Sequence, residues 1–177
     1  QGKTTSTEIA PKEQHKYVVN LEKNQFAFFK LMQEGVDVKI TTYTPQGKKI
    51  AEIDSPNGQN GAELFAIKSV EKGKYVVEVS PLEENESKGK YTISLKFIKP
   101  KAVTLGDQVD EIFASRDSKD SPGAAVAVVQ NGEIVYKKAY GMANLEHDIP
   151  NSPSTVFHIA SVSKQFTAFS ILLQKKA

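Results

Sequence analysis

From His15 to about Ile98, apolar positions recur at every second residue. Val36, Val38 and Ile40 alternate with Asp37, Lys39 and Thr41, and Tyr75, Val77 and Val79 alternate with Lys74, Val76 and Glu78. Tyr91, Ile93, Leu95 and Phe97 alternate in the same way with Lys90, Thr92, Ser94 and Lys96. Successive side chains of a strand point to opposite faces, so each run offers one face to a core and the other to water. Turn residues separate the runs: Pro45-Gln46-Gly47, Ser55-Pro56-Asn57-Gly58 and Glu71-Lys72-Gly73. The polar stretch from Glu83 to Gly89 precedes the last run. The spacing predicts about seven short strands without a helix, the pattern of an all-β sandwich.

Pro100 closes that pattern and a helical one follows. Leu105, Val109, Ile112 and Phe113 are spaced by three and four, with Asp107, Asp110 and Glu111 among them. An apolar run from Ala124 to Val129 then meets Ile134–Tyr140 across Asn131-Gly132, a strong hairpin signal. A loop with Pro150 and Pro153 leads to a last helical segment from about Ser161 to Lys175. Its apolar residues, Phe166, Phe169, Ile171, Leu172 and Leu173, occupy most of the circumference, so the helix is expected to be buried. The implied organisation is a flexible leader at 1–14, a β-sandwich accessory domain at 15–99, a linker at 100–106 and an incomplete α+β segment (helix, β-hairpin, helix) at 107–177.

Composition narrows the function. The 177 residues carry 23 Lys+Arg against 21 Asp+Glu, for a net charge of +2, and no Cys. Without Cys there is no disulfide framework, thiol nucleophile or thiolate metal site. Arg116 is the only arginine and the lysines form no cluster, which argues against a nucleic-acid partner. No run approaches the roughly 18 apolar residues of a membrane span.

Three Ser-x-x-Lys spacings occur: Ser69–Lys72, Ser87–Lys90 and Ser161–Lys164. The first two fall at strand ends or turns, where a three-residue spacing does not bring side chains together. The third opens a helix, where residues i and i+3 share a face and Lys164 can reach the Ser161 hydroxyl. A serine becomes a competent nucleophile when a neighbouring base takes its proton, and a partly desolvated lysine is such a base. Backbone N–H groups of a helix start can also stabilise an oxyanion. His158, three residues before Ser161, is assigned no catalytic role, and His15 and His147 are taken as surface residues. Asp54 and Glu63 flank a Gly/Asn-rich loop that could hold Ca²⁺, although Asp-Ser-Pro-Asn-Gly is foremost a turn sequence. The assignment therefore calls for no metal and no cofactor.

Two resemblances accompany these patterns. The stretches G-V-D-V-K-I, P-Q-G-K, D-S-P-N-G, G-K-Y-V-V-E-V and G-K-Y-T-I-S-L resemble the bacterial pre-peptidase C-terminal domain. This resemblance implies a jelly-roll-like sandwich attached to a secreted enzyme. The text G-A-A-V-A-V-V-Q-N-G-E-I-V, Y-G-M-A-N and S-T-V-F-H-I-A-S-V-S-K-Q-F-T-A-F resembles the start of a class C β-lactamase-like, penicillin-binding serine hydrolase domain. It implies catalytic Ser161 as the acylated nucleophile and catalytic Lys164 as its activating base. The substrate would be a small molecule or peptide, a β-lactam or D-amino-acid peptide, and the protein would be exported, periplasmic or secreted.

That family also uses a later Tyr-x-Asn or Ser-x-Asn and a Lys- or His-x-Gly. Here Ser55-Pro56-Asn57 lies ahead of Ser161 in the sandwich segment, and neither Tyr-x-Asn nor Lys/His-x-Gly occurs after Ser161. The expectation is therefore a fragment of a serine hydrolase (β-lactamase, D,D-peptidase or esterase-like), inactive in this form. Its uncovered apolar surface is expected to drive self-association. The alternative is a non-catalytic sandwich for cell-envelope binding or secretion support.

Overall fold

The structure, a computed structural model, describes residues 4–83 and 87–175. Residues 84–86 of the predicted polar stretch lie outside the described residues. The chain divides into two compact units, Gln1–Ser115 and Arg116–Ala177.

Among the described residues of the first unit eight strands follow one another: β1 (Thr4–Ile9), β2 (His15–Leu21), β3 (Gln25–Glu34), β4 (Val38–Tyr43), β5 (Lys49–Ile53), β6 (Asn60–Lys68), β7 (Gly73–Pro81) and β8 (Gly89–Pro100). They pair β1 with β8, β2 with β7, β3 with β6 and β4 with β5, all antiparallel. The chain is thus a double ribbon bent at the β4–β5 turn, where Gly47 takes φ +79°. Rolling this ribbon places alternate pairs in opposite sheets, ordered β1-β8-β3-β6 and β2-β7-β4-β5. This is the eight-stranded jelly roll. The alternating apolar residues meet between the sheets, where Ile9, Leu31, Ile40, Ile67, Tyr75 and Val79 are fully buried.

Two expectations change here. Residues 4–9 are a strand and not part of a flexible leader. Thr5 and Thr7 are half-buried and Ile9 is fully buried, so threonine, at home in strands, supplies an inner face that hydropathy does not reveal. His15 is also not a surface residue. It shares the inward parity of Tyr17, Val19 and Leu21 and reaches the Tyr91 hydroxyl.

A register shift in β8, opposite Phe28 and Phe29, turns Phe97 onto the face carrying Phe26 and Phe28. The three rings stack, with centroids 5.4 Å apart for Phe28–Phe97 and 6.2 Å for Phe26–Phe97. Lys68 and Lys99 flank Phe26 in the ladder and hold their amines 5.7 and 5.4 Å from its ring centroid. Helix α1 (Leu105–Phe113) follows β8 in the same unit. Thr104 caps it, its hydroxyl accepting from the Asp107 N–H at 3.1 Å.

The second unit contains the predicted hairpin, β9 (Ala124–Gln130) and β10 (Glu133–Tyr140). Asn131 and Gly132 take φ +54° and +83°, as a tight hairpin turn requires. A short pair, β11 (Met142–Asn144) and β12 (Ile149–Pro150), follows. Tyr140 is buried, and its hydroxyl lies 3.0 Å from that of Tyr136. Helix α2 (Lys164–Lys175) comes last, preceded by a 3₁₀ turn over Ala160–Ser163. No residue of α2 is buried, and Phe166, Phe169 and Leu172 are more than half exposed. The expected burial of this helix is therefore not met. Its all-round apolar pattern calls for layers that do not cover it in this structure.

Candidate active site

The loop that delivers Ser161 is tied down where it leaves the hairpin. Asn151 donates its backbone N–H to Gly141 O at 2.9 Å and its side-chain amide to Tyr140 O at 3.1 Å. A turn closed by the Thr155 N–H on Ser152 O at 3.0 Å follows. Ala160 takes φ +45°, a conformation unfavourable for a residue with a Cβ. It is the first residue of the 3₁₀ turn, in which Val162 donates to Ile159 O at 3.0 Å.

Ser161 lies inside this turn, so the α-helix proper begins three residues later than the sequence suggests. The turn's N-cap is Ile159, which makes no side-chain cap, and Ser161 does not serve as one. Instead Lys164 Nζ lies 3.2 Å from Ser161 Oγ. The i, i+3 spacing thus brings the two candidate residues into hydrogen-bonding contact. Both are exposed. Desolvation favours the neutral, basic form of an amine, so proton abstraction calls for enclosure of this turn. A cavity of about 560 Å³ in this unit is lined by Asp117, Lys119, Met142 and Asp148 among others, and not by Ser161 or Lys164. His158 makes no hydrogen bond to Ser161 among the described residues.

The other two Ser-x-x-Lys spacings have structural explanations. Ser69 Oγ accepts the Gln25 N–H at 2.7 Å and donates to Glu22 O at 2.5 Å, while Lys72 pairs with Glu22 at 2.9 Å. Ser87 and Lys90 stand at the entry of β8. The Asp54–Glu63 loop is also explained from within. Glu63 is fully buried and accepts from Ser55 N–H (3.0 Å), Ser55 Oγ (2.8 Å) and Asn57 Nδ2 (3.0 Å). Gln33 Nε2 donates to Asn57 Oδ1 at 2.7 Å. The carboxylate is turned into its own loop. Among the described residues no group of three or more His, Asp or Glu is placed to hold a metal.

One polar cluster is not apparent from the sequence. Between the sheets Tyr91 OH lies 2.7 Å from His15 Nδ1 and 2.7 Å from Tyr17 OH. Burial, with the Tyr17 hydrogen bond second, pushes the Tyr91 phenol far above its usual range. The signal that could have found it is the shared parity of His15 and Tyr17 on β2.

Comparison with known proteins finds similarity over the C-terminal part of the chain. The Beta-lactamase family model matches residues 109–176. A D-aminopeptidase of Gluconobacter oxydans is 47% identical over 51 residues, 29% of this chain and 10% of that protein. A D-aminopeptidase of Brucella ovis is 53% identical over 61 residues, 34% of this chain and 12% of that protein. The matched part of the chain thus spans about a tenth of the length of these curated relatives. The homology supports a serine-hydrolase family for the segment. Among solved structures the chain is similar to the pre-peptidase C-terminal domain of a collagenase from Bacillus anthracis. That similarity is 19% in sequence, with a TM-score of 0.42, over 54% of this chain and 89% of that one.

Proposed function

We propose that residues from Val109 onward open the catalytic domain of an exported serine hydrolase. Ser161 attacks an amide or ester carbonyl and forms an acyl-enzyme, and Lys164 takes the hydroxyl proton as the attack proceeds. The 3.2 Å Ser161–Lys164 contact carries this reading. D-amino-acid peptides lead as substrate class, supported by the D-aminopeptidase relatives, and β-lactams come second. The exposed first turn and the tenth of the relatives' length that is matched support a segment that is inactive alone. Uncovered apolar residues of α2 support its self-association, which light scattering would read. The test of the nucleophile uses a chain extended through the remaining motifs. Ser161→Ala should abolish labelling by a fluorescent penicillin or a fluorophosphonate, and undiminished labelling would overturn the assignment.

A second reading assigns the sandwich a non-catalytic role in cell-envelope binding or secretion support. Its separately complete core favours it, since Ile40, Ile67 and Val79 are fully buried by strands of the sandwich alone. Retention of residues 1–115 on peptidoglycan above a control protein would support envelope binding, and no retention would count against it.

A further inference from the structure

Helix α1 belongs to two descriptions at once. The hydrolase-family match begins inside it, at residue 109, yet its packing places it with the sandwich. A nine-residue helix is marginal in water and needs tertiary support. Its apolar stripe supplies only part of that support: Val109 is buried and Phe113 half-buried, but Leu105 and Ile112, seven residues apart, are 44% and 70% exposed. A further anchor lies on another flank. The Glu111 side chain is 1% exposed, its Oε2 is 2.8 Å from Lys68 Nζ on β6, and its Oε1 accepts the Ala102 N–H at 2.6 Å. Lys68 is itself fixed in the ladder beside Phe26, its amine over that ring.

We propose that the sandwich is a docking platform for the first helix of the hydrolase segment, and that Glu111 is the residue by which α1 is seized. The assignment of α1 to the hydrolase segment rests on the reading above; the clamp itself does not. A buried ion pair adds little net stability against an apolar pair of the same shape, but breaking one partner leaves a stranded charge. The pair therefore sets which flank of α1 meets the sandwich and leaves the Leu105/Ile112 stripe facing outward. The sandwich thereby holds α1 by an ionic clamp, and not only through the chain that leads from β8 into the helix.

Hydrogen exchange on the whole 177-residue chain tests this without any assay of hydrolysis, so it can fail independently of the serine-hydrolase reading. Lys68→Met should raise exchange of the α1 amides at least about tenfold while β3 amides keep their protection. Lys68→Arg, which keeps the charge, should leave α1 protected. Lys68→Met with Glu111→Leu should regain part of the protection, because the stranded carboxylate is gone. Unchanged α1 exchange in Lys68→Met would overturn the proposal. So would loss of β3 protection in step with α1, since the pair would then support the sandwich itself.

Discussion

The phenol oxygens of Tyr17 and Tyr91 meet at 2.7 Å between the two sheets, and His15 Nδ1 closes on the same Tyr91 oxygen at 2.7 Å. Burial holds the Tyr91 proton in place well above the ordinary tyrosine range. The unfolded chain releases that proton near pH 10 and the folded chain does not. This contribution to stability is therefore complete below about pH 10 and declines as the pH rises past it. The midpoint of urea unfolding should fall over that range, and fall less in Tyr91→Phe. At neutral pH the same substitution should cost about 1–3 kcal/mol, because His15 and Tyr17 then face a ring without a polar atom. Identical alkaline slopes in the two proteins would refute the assignment.

Glu63 closes the loop at the other polar site of the sandwich. Three donors, two from Ser55 and one from Asn57, converge on a carboxylate with no solvent exposure. Glu63→Ala strands all three and should destabilise the chain by about 2–4 kcal/mol. Glu63→Gln keeps an oxygen acceptor but loses the charge assistance, and should cost roughly half as much. Urea midpoints at an unchanged slope would give both values. If Ca²⁺ raised the midpoint of the unsubstituted protein, the self-contained loop would be the wrong account.

Seven of the eight sandwich strands are legible in the sequence because one alternate face is filled by Val, Ile, Leu, Tyr or Phe. Strand β1 is not, since Thr5 and Thr7 fill its inner positions with side chains that hydropathy counts as polar. His15 is missed for the same reason: a histidine on an inward parity looks like a solvated residue. The Ser161–Lys164 contact follows from spacing alone. The left-handed backbone at Ala160 does not, because alanine carries no mark of positive φ. Glu111 reads in the sequence as one more acidic residue of α1. Only the fold brings Lys68, 43 residues earlier in the chain, against its carboxylate.

Gly123 and Gly132 separate crowding from backbone strain in the second unit. A Cβ at Gly123 would collide with the Tyr140 carbonyl oxygen and the Asn151 side-chain amide, two groups that anchor the loop toward Ser161. A Cβ at Gly132 meets open space, and only its φ of +83° is unfavourable. Gly123→Ala should cost about 3 kcal/mol and collapse the hairpin's amide signals into the narrow range of a disordered chain. Gly132→Ala should cost about 1 kcal/mol and leave those signals folded. Equal effects in an amide correlation spectrum would mean that the close approach at Gly123 is not rigid.

Lys164 is the residue on which a base and a mere positive charge can be told apart. Its amine touches Ser161 Oγ at 3.2 Å, and an amine can lose a proton where a guanidinium cannot. In the chain extended through the remaining hydrolase motifs, Lys164→Ala should slow fluorophosphonate labelling of Ser161 by about 10²–10⁴-fold, the range of general-base catalysis. Lys164→Arg should be as slow, since it restores the charge and not the proton acceptor. An arginine variant that labelled at the unsubstituted rate would make Lys164 an electrostatic neighbour and move the base elsewhere. If the arginine variant labelled slowly but the alanine variant labelled well, the defect would be one of bulk beside the nucleophile, and the base assignment would fall with it.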